Sequence, residues 1–431
     1  MSKSDPIDET THSKQPFGSG PLADVEERKA IFVVLDSFRS YRRQTHFNST
    51  HRRRQNFYAL QRPHQDALNA PPIALLDILN EIDDAIDENA DIAEAILTLA
   101  LETFELPDEP DRDSDLNWKG VVRPLDLNKA HSTIKQFWRD WSKEGFNKEV
   151  EPILKIILND LADNLGPEPY GLSILLPGAG LGRLLFELCL AGYNAEGNEI
   201  SYHQLLASNF ILNTTQRANQ FKLYPFVTTF NNHLSRRHQM RWVTIPDVHP
   251  GAAIAEKTRL AEADDTHQSK VPGQMNMTAG DFITSYSTAE SARSFDAVVT
   301  VYFIDTAPNL IRYIETIRNC LKEGGIWVNV GPLLWHFEDR IVDKHDVRTE
   351  DEDEDESEDR EKDKAGIAEP GSFELTNEEV LALVQNMGFD IITGSVLPST
   401  AGGYIQDPDS MLQNMYNCSH WIARKTSQCE R

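Results

Sequence analysis

The stretch Ser173-Ile-Leu-Leu-Pro-Gly-Ala-Gly-Leu-Gly-Arg183 decides the fold class. Its apolar start reads as a strand buried on both faces, and its end as the first turn of a helix. Between them Gly178, Gly180 and Gly182 let the backbone turn sharply and approach a ligand where a Cβ would collide. A glycine motif alone is weak evidence, since a tight strand-to-helix turn without a ligand leaves the same trace. Here the loop reads GxGxG and position 183 is Arg, where a dinucleotide fingerprint wants a small residue for helix packing. That spacing argues against a nicotinamide cofactor.

Downstream, a second apolar run from Tyr193 towards Gly197 ends at Glu199. A carboxylate after the second strand can accept both hydroxyls of a ribose, although a solvated loop glutamate fits the same position. Thr278-Ala-Gly-Asp-Phe282 sits at the end of a third strand. Asp281 there suits the exocyclic amine of an adenine, and the Phe282 ring suits cover for the base edge; taken alone the segment is only a turn. Ala297 to Tyr302 and Ile326 to Val330 read as the next strands, with Asp305 and His336 following them at the edge where α/β ligands bind. His336 beside an apolar Leu-Leu-Trp segment also suits a core histidine. Thr376 and Glu379 form a capping box opening a further helix, and Phe389 to Leu397 with about Asn417 to Arg424 close the sheet. Strands alternating with helices argue for a mainly parallel sheet covered on both faces, hence an α/β fold.

Upstream the reading is helical. Residues 1–24 are a polar tail, and 25–165 form an N-terminal helical domain preceding an α/β domain at 166–431. Ile73 to Ile86 and Ile92 to Leu99 carry helical spacing on either side of Asn89 and read as two packed helices. Pro107 to Asp115 is a connector, followed by helices around Lys129 to Lys143 and Val150 to Asn164. Two polar stretches, near 251–272 and 343–371, read as disordered surface inserts.

The second insert locates much of the formal net charge of −26, because Asp343 to Lys364 holds thirteen acidic residues against five basic. So acidic a chain repels phosphate backbones, and nucleic acid is not an expected partner. Arg39, Arg42, Arg43, Arg52, Arg53, Arg54 and Arg62 form a basic cluster that reads as the solvated face of a helical segment rather than an anion site. Cys189, Cys320, Cys418 and Cys429 show no CxxC pairing and read as reduced thiols. No metal site, signal peptide or membrane-crossing run is expected, which places the protein in the cytoplasm with the nucleus left open.

By these residues the chain resembles class I S-adenosylmethionine-dependent methyltransferases, and more closely the carnosine N-methyltransferase family. The likeness is carried by Leu175 to Arg183, Gly197-Asn-Glu199, Ser208-Asn-Phe210, Lys222-Leu-Tyr-Pro225, Met277 to Phe282, Phe303-Ile-Asp-Thr-Ala307, Gly324-Gly-Ile-Trp327, Gly331 to Phe337 and Lys135-Gln-Phe-Trp-Arg-Asp-Trp141. It implies a Rossmann-like fold with a seven-stranded, mainly parallel sheet, a helical region covering the cofactor S-adenosylmethionine, and a possible homodimer. It also implies methylation of the imidazole of carnosine (β-alanyl-histidine) to give anserine. Carried over by position, Gln136, Arg139, Gly178, Glu199, Asp281, Phe282 and Val301 would line the cofactor site, with Gly180 in the same loop. Asp305, His336 and Tyr416 would hold the dipeptide, Asp305 and His336 acting in catalysis. Val301 stands where the family pattern has a cysteine, a change that a backbone contact tolerates. Tyr404 competes with Tyr416 for its place in the pocket. A related histidine-containing peptide or protein histidine as acceptor, and a scaffold that keeps the fold without catalysis, are the competing readings.

Overall fold

The computed structural model describes residues 20–263, 271–337, 373–397 and 402–426. The acidic insert at 343–371 and nearly all of the N-terminal tail lie outside them. Nine strands are formed among the described residues: β1 Ser173–Pro177, β2 Asn194–Glu199, β3 Phe221–Leu223, β4 Val243–Ile245, β5 Met275–Ala279, β6 Phe295–Val301, β7 Leu321–Gly331, β8 Phe389–Val396 and β9 Ser419–Lys425. Seven make one sheet in the order β5-β2-β1-β6-β7-β9-β8, while β3 and β4 pair separately. The first five of that order are mutually parallel, and β9 runs antiparallel to both of its neighbours.

The order follows from what each strand can bury. Ile174 and Leu176 of β1 face one cluster, with Ile157, Leu161, Leu185 and Leu188 from helices Glu151–Leu165 and Arg183–Leu190. Leu175 faces the other, with Ile314, Ile317, Val380 and Val384 from helices Leu310–Cys320 and Asn377–Asn386. Alternate residues of a strand point to opposite faces, so a strand covered on both sides must be apolar throughout. From β1 the chain steps outward to β2 and β5, then returns to β6 on the other side. The crevice of an open α/β sheet forms at such a reversal, above the carboxyl ends of β1 and β6.

The helical region is continuous with this core. Leu35, Phe38, Ile96, Phe137 and Trp138, from helices Val25–His46, Leu75–Thr103 and Pro124–Trp141, share a cluster with Phe186, Leu206 and Phe210. The two helices expected around Asn89 are one, Leu75–Thr103. Asn89 does not break it, because its amide is spent elsewhere: Nδ2 donates to the Tyr224 carbonyl at 2.9 Å and Oδ1 accepts the Tyr224 N–H at 2.8 Å. The insert expected near 251–272 contains a helix, Pro250–Glu262, whose N-cap His249 accepts the Ala252 N–H through Nδ1. Ala253 and Ile254 pack that helix on the core, and composition alone had hidden these two contacts. No described helix is long and apolar enough to cross a membrane.

The basic cluster is solvated only in part: Arg43, Arg52 and Arg62 are exposed, but other members have specific partners. Arg42 pairs with Asp87, Asp91 and Glu94, Arg54 with Asp83 and Arg39 with Asp36, while the Arg53 guanidinium lies 3.2 Å from the centre of the Phe230 ring. Arg42 and Arg54 tie the first helix and its extension to Leu75–Thr103. His46 joins them, its two ring nitrogens 2.8 Å from Asp83 and Asp87.

Arg183 is buried at 3% exposure and makes a different cross-link. Its Nη1 donates to the Asp140 carbonyl at 2.9 Å and to Asp247 at 2.6 Å, and its Nε to Glu187 at 2.8 Å. Phe146 and Trp141 cover its planar face. The bulky side chain that departs from a dinucleotide fingerprint thus serves to join three segments.

Two outcomes are expected. Arg183→Met leaves Asp247 buried without its cation and should lower unfolding stability in urea by about 3–5 kcal/mol. For His46, burial opposes the charged form, but the hydrogen bonds its ring donates to Asp87 and Asp83 outweigh it and raise the pKa. A raised folded-state pKa stabilises fully below the unfolded value of about 6.5 and loses that contribution as pH rises through the folded value. The melting-temperature deficit of His46→Gln should therefore be larger at about pH 5.5 than at about pH 9.

Candidate functional site

Five strand ends lie side by side along the carboxyl edge in the order β5-β2-β1-β6-β7. The residues at or just beyond these ends are Asp281, Glu199 (the last of β2), Gly178, Val301 (the last of β6) to Asp305, and His336. At about 4.8 Å per strand this row is roughly 19 Å long, enough for a nucleoside with an amino-acid arm. Gly280 N–H donates to the Glu199 carbonyl at 3.0 Å and Asn198 Nδ2 to the Gly280 carbonyl at 3.0 Å, so the first two sites share one loop network.

The glycine turn has the backbone that only glycine adopts cheaply: φ is +69° at Gly178 and +58° at Gly180. A Cβ on Gly178 would stand 2.7 Å from the Phe303 ring, and one on Gly180 would stand 3.3 Å from Gln136 Nε2. Gln136 therefore lies against the loop. Glu199 is buried and accepts three backbone N–H groups: Gly180 on Oε2 at 3.0 Å, and Ile200 and Ser201 on Oε1 at 2.9 and 2.8 Å. Burial pushes its pKa up and these three bonds pull it back. With two donors on Oε1 and one on Oε2, Oε2 keeps a lone pair. The carboxylate thus has room for one further strong hydrogen bond, not the two expected of a bare glutamate.

Asp281 caps helix Phe282–Tyr286, its Oδ1 accepting the Thr284 N–H at 2.9 Å. Phe282 departs from expectation. Its ring is 3% exposed and packs against Tyr286, Phe303 and Tyr313 at centroid distances of 5.7, 5.5 and 5.3 Å. A ring held in that cluster cannot cover a base edge; what Phe282 offers is its backbone N–H at the start of the helix. Phe303 joins this cluster to the underside of Gly178. The motif containing Phe303 is visible in the sequence, but the pairing is not, since it crosses from β6 to β1.

Arg139, Gly178 and Val301 line one cleft, together with Glu149, Tyr302 and Gly403. Arg139 donates through Nε to Asp140 at 2.7 Å, and its guanidinium lies 4.7 Å from the centre of the Tyr404 ring. Burial disfavours its charge, but Asp140 more than offsets this, so it stays cationic. Tyr302 takes a left-handed φ of +52°, rare for a bulky residue, and its N–H donates to the Val330 carbonyl at 2.9 Å. No sequence signal marks such a residue, because neighbouring strands impose its conformation. Glu149 was not singled out by sequence either; it reads as an ordinary helix glutamate until its partners are seen.

Asp305 and His336 meet. Asp305 is 2% exposed; its Oδ2 accepts the Leu334 N–H and its carbonyl the His336 N–H, both at 3.0 Å. Burial raises its pKa, while the Leu334 N–H and nearby His336 act the other way. His336 is exposed at the rim, not a core histidine, and Trp335 beside it anchors the loop through Nε1 to the Leu375 carbonyl at 3.1 Å. Tyr416 is half-buried in the cluster holding Val301 and Tyr302, and its N–H donates to the Gly402 carbonyl at 3.0 Å. Tyr404 is more open, at 43% exposure, lying between Arg139 and Tyr302. Tyr404 thus stands over the cation, while Tyr416 packs in the cluster that holds Val301 and Tyr302.

Comparison with known proteins gives these features a common setting. The sequence model for carnosine N-methyltransferase matches residues 116–427. The carnosine N-methyltransferase of Schizosaccharomyces pombe is 34% identical over 93% of this chain and 97% of that one. That of Mus musculus is 32% identical over 95% and 90%. Among solved structures the chain is similar to magnesium protoporphyrin IX methyltransferase from Synechocystis with bound SAH (10% identity, 64% of this chain and 83% of that one, TM-score 0.31). It is also similar to a putative sarcosine dimethylglycine methyltransferase from Galdieria sulphuraria (10% identity, 64% and 86%, TM-score 0.34). Matched by such relatives along both its helical region and its sheet, the chain belongs to the carnosine N-methyltransferase family.

Proposed function

We propose that this protein transfers a methyl group from S-adenosylmethionine to an imidazole nitrogen of carnosine, giving anserine. The observation that carries the reading is the buried Asp305 carboxylate, tied to the His336 loop beside the glycine turn.

The residues present fit the donor. Oε2 of Glu199 has a lone pair for a ribose hydroxyl, and Asp281 with the Phe282 N–H offers an acceptor and a donor to an adenine edge. Arg139 offers a guanidinium to the methionine carboxylate in the cleft it shares with Gly178 and Val301. Gln136 closes the loop side. When bound, the cofactor supplies an electrophilic methyl carbon on a sulfonium.

The chain's task at the acceptor is orientation. Imidazole has an ordinary pKa of about 6.5, so near neutrality most of it already has a free lone pair and no strong base is required. Asp305 accepts the N–H of one ring nitrogen, which fixes the tautomer and turns the other nitrogen towards the donor. The same carboxylate stabilises the ring as it becomes cationic and then holds the released proton, which His336 at the exposed rim passes to solvent. Tyr416 and Tyr404 wall the dipeptide. Because Asp305 works only when ionised, activity falls as pH drops through its raised pKa, in the same sense as protonation of the acceptor. The buried free thiols of Cys189, Cys320 and Cys418 suit the reducing cytoplasm in which we place the reaction.

The test is to incubate the purified protein with labelled donor and a panel of imidazole dipeptides, and to assign the methylated nitrogen by NMR. Transfer to none of them would sink the reading. Asp305→Asn should retain its affinity for S-adenosylhomocysteine in calorimetry and lose about a hundredfold or more in kcat/KM for carnosine. Unchanged turnover would remove Asp305 from the role assigned to it.

A further inference from the structure

Methyl transfer as proposed leaves one buried carboxylate of the cleft unused. Glu149 is 5% exposed and sits on a single wide helical turn, Phe146–Val150, between Lys143–Gly145 and the helix Glu151–Leu165. Such π-turns occur often at functional sites, because the extra residue re-aims side chains off the regular helical face. Its position is fixed from behind: a Cβ on Gly145 would stand 1.9 Å from the Trp138 carbonyl oxygen, so the turn packs directly on the helix that carries Gln136 and Arg139.

Both oxygens of Glu149 are spent on main chain far away in sequence. Oε2 accepts the Ile405 N–H at 2.6 Å and Oε1 the Gln406 N–H at 2.8 Å. Gly403 presses on the same group, since a Cβ there would lie 2.9 Å from Oε1. The strap is held on its other side by Tyr302, whose hydroxyl donates to the Gly403 carbonyl at 3.2 Å. Gly403 walls the cleft, and Tyr404 lays its ring over the Arg139 guanidinium. Burying a carboxylate is costly, and here the return is two charge-assisted bonds to a segment with no sheet or helix partners of its own.

We propose that Glu149 is a positioning residue for the methyl donor: it latches the strap Gly403 to Gln406 over Arg139, so that the guanidinium meets its carboxylate partner out of water. The proposal rests on the reading of this cleft as the donor site. Arg139 is already held by Asp140 and covered by Tyr404; with the strap loose, water reaches the guanidinium and weakens any ion pair it makes.

The test uses the full chain and two variants that disturb the latch from opposite sides, Glu149→Gln and Gly403→Ala. Calorimetry with S-adenosylhomocysteine, amide hydrogen exchange and steady-state kinetics are read together. In both variants the Ile405 and Gln406 amides should exchange faster, and the Kd for S-adenosylhomocysteine and KM for the donor should rise about tenfold or more, the size expected of a lost charged hydrogen bond. The kcat at saturating donor and the KM for the dipeptide should stay within about threefold, a split that loss of general stability would not produce. Wild-type donor affinity in a variant whose strap exchanges faster would overturn the proposal, as would unchanged exchange at these amides in both variants. Absence of S-adenosylhomocysteine binding by the unaltered chain would instead overturn the donor-site reading itself, and the latch with it.

Discussion

The guanidinium of Arg183 is the joint on which the site depends. It sits at the first residue of the helix after the glycine turn and reaches back to the Asp140 carbonyl, at the end of the helix carrying Gln136 and Arg139, and across to Asp247 beyond β4. Trp141 adds a second tie, its Nε1 donating to the Leu181 carbonyl at 3.0 Å. A buried cation is tolerated only when every neighbour satisfies it, so these partners are held in one arrangement rather than several. The helical region is thereby fixed against the turn it must cover.

A second theme is the use of buried carboxylates as receptors for loop backbone. Glu199 holds Gly180, Ile200 and Ser201; Asp305 holds Leu334; Glu149 holds Ile405 and Gln406. Each is raised in pKa by burial and pulled back by the N–H groups it accepts. Loops cannot pair with one another as strands do, and a carboxylate with about four acceptor positions can fix such a loop while keeping a lone pair for a ligand. One chemical device thus organises the donor turn, the acceptor rim and the strap over the cleft.

The strength of the sequence signal followed how local its cause was. The glycine turn, the Thr376 and Glu379 capping box and the apolar runs of the central strands are written in adjacent residues, and each is found where expected. Failures came where distant partners decide. Asn89 reads as a helix break until Tyr224 claims its amide, and Arg42 and Arg54 read as solvated until Leu75–Thr103 brings four carboxylates against them. Phe282 reads as a free ring until Phe303 and Tyr313 enclose it.

By itself the sequence determined the alternation of strands and helices, the turn that only glycines can make, and the acidic or imidazole residues Glu199, Asp281, Asp305 and His336 at or beyond the ends of four strands. These are consequences of backbone sterics and hydrophobic periodicity, which act over a few residues. The tertiary structure alone decided that the strands stand in the order β5-β2-β1-β6-β7, which sets Asp281 beside Glu199 and Asp305 beside His336 although 82 and 31 positions separate them in the chain. It also decided that Glu149 lies under residues 405 and 406. Strand order and loop closure are settled by which faces bury together, a property of the whole packed core that no local stretch contains.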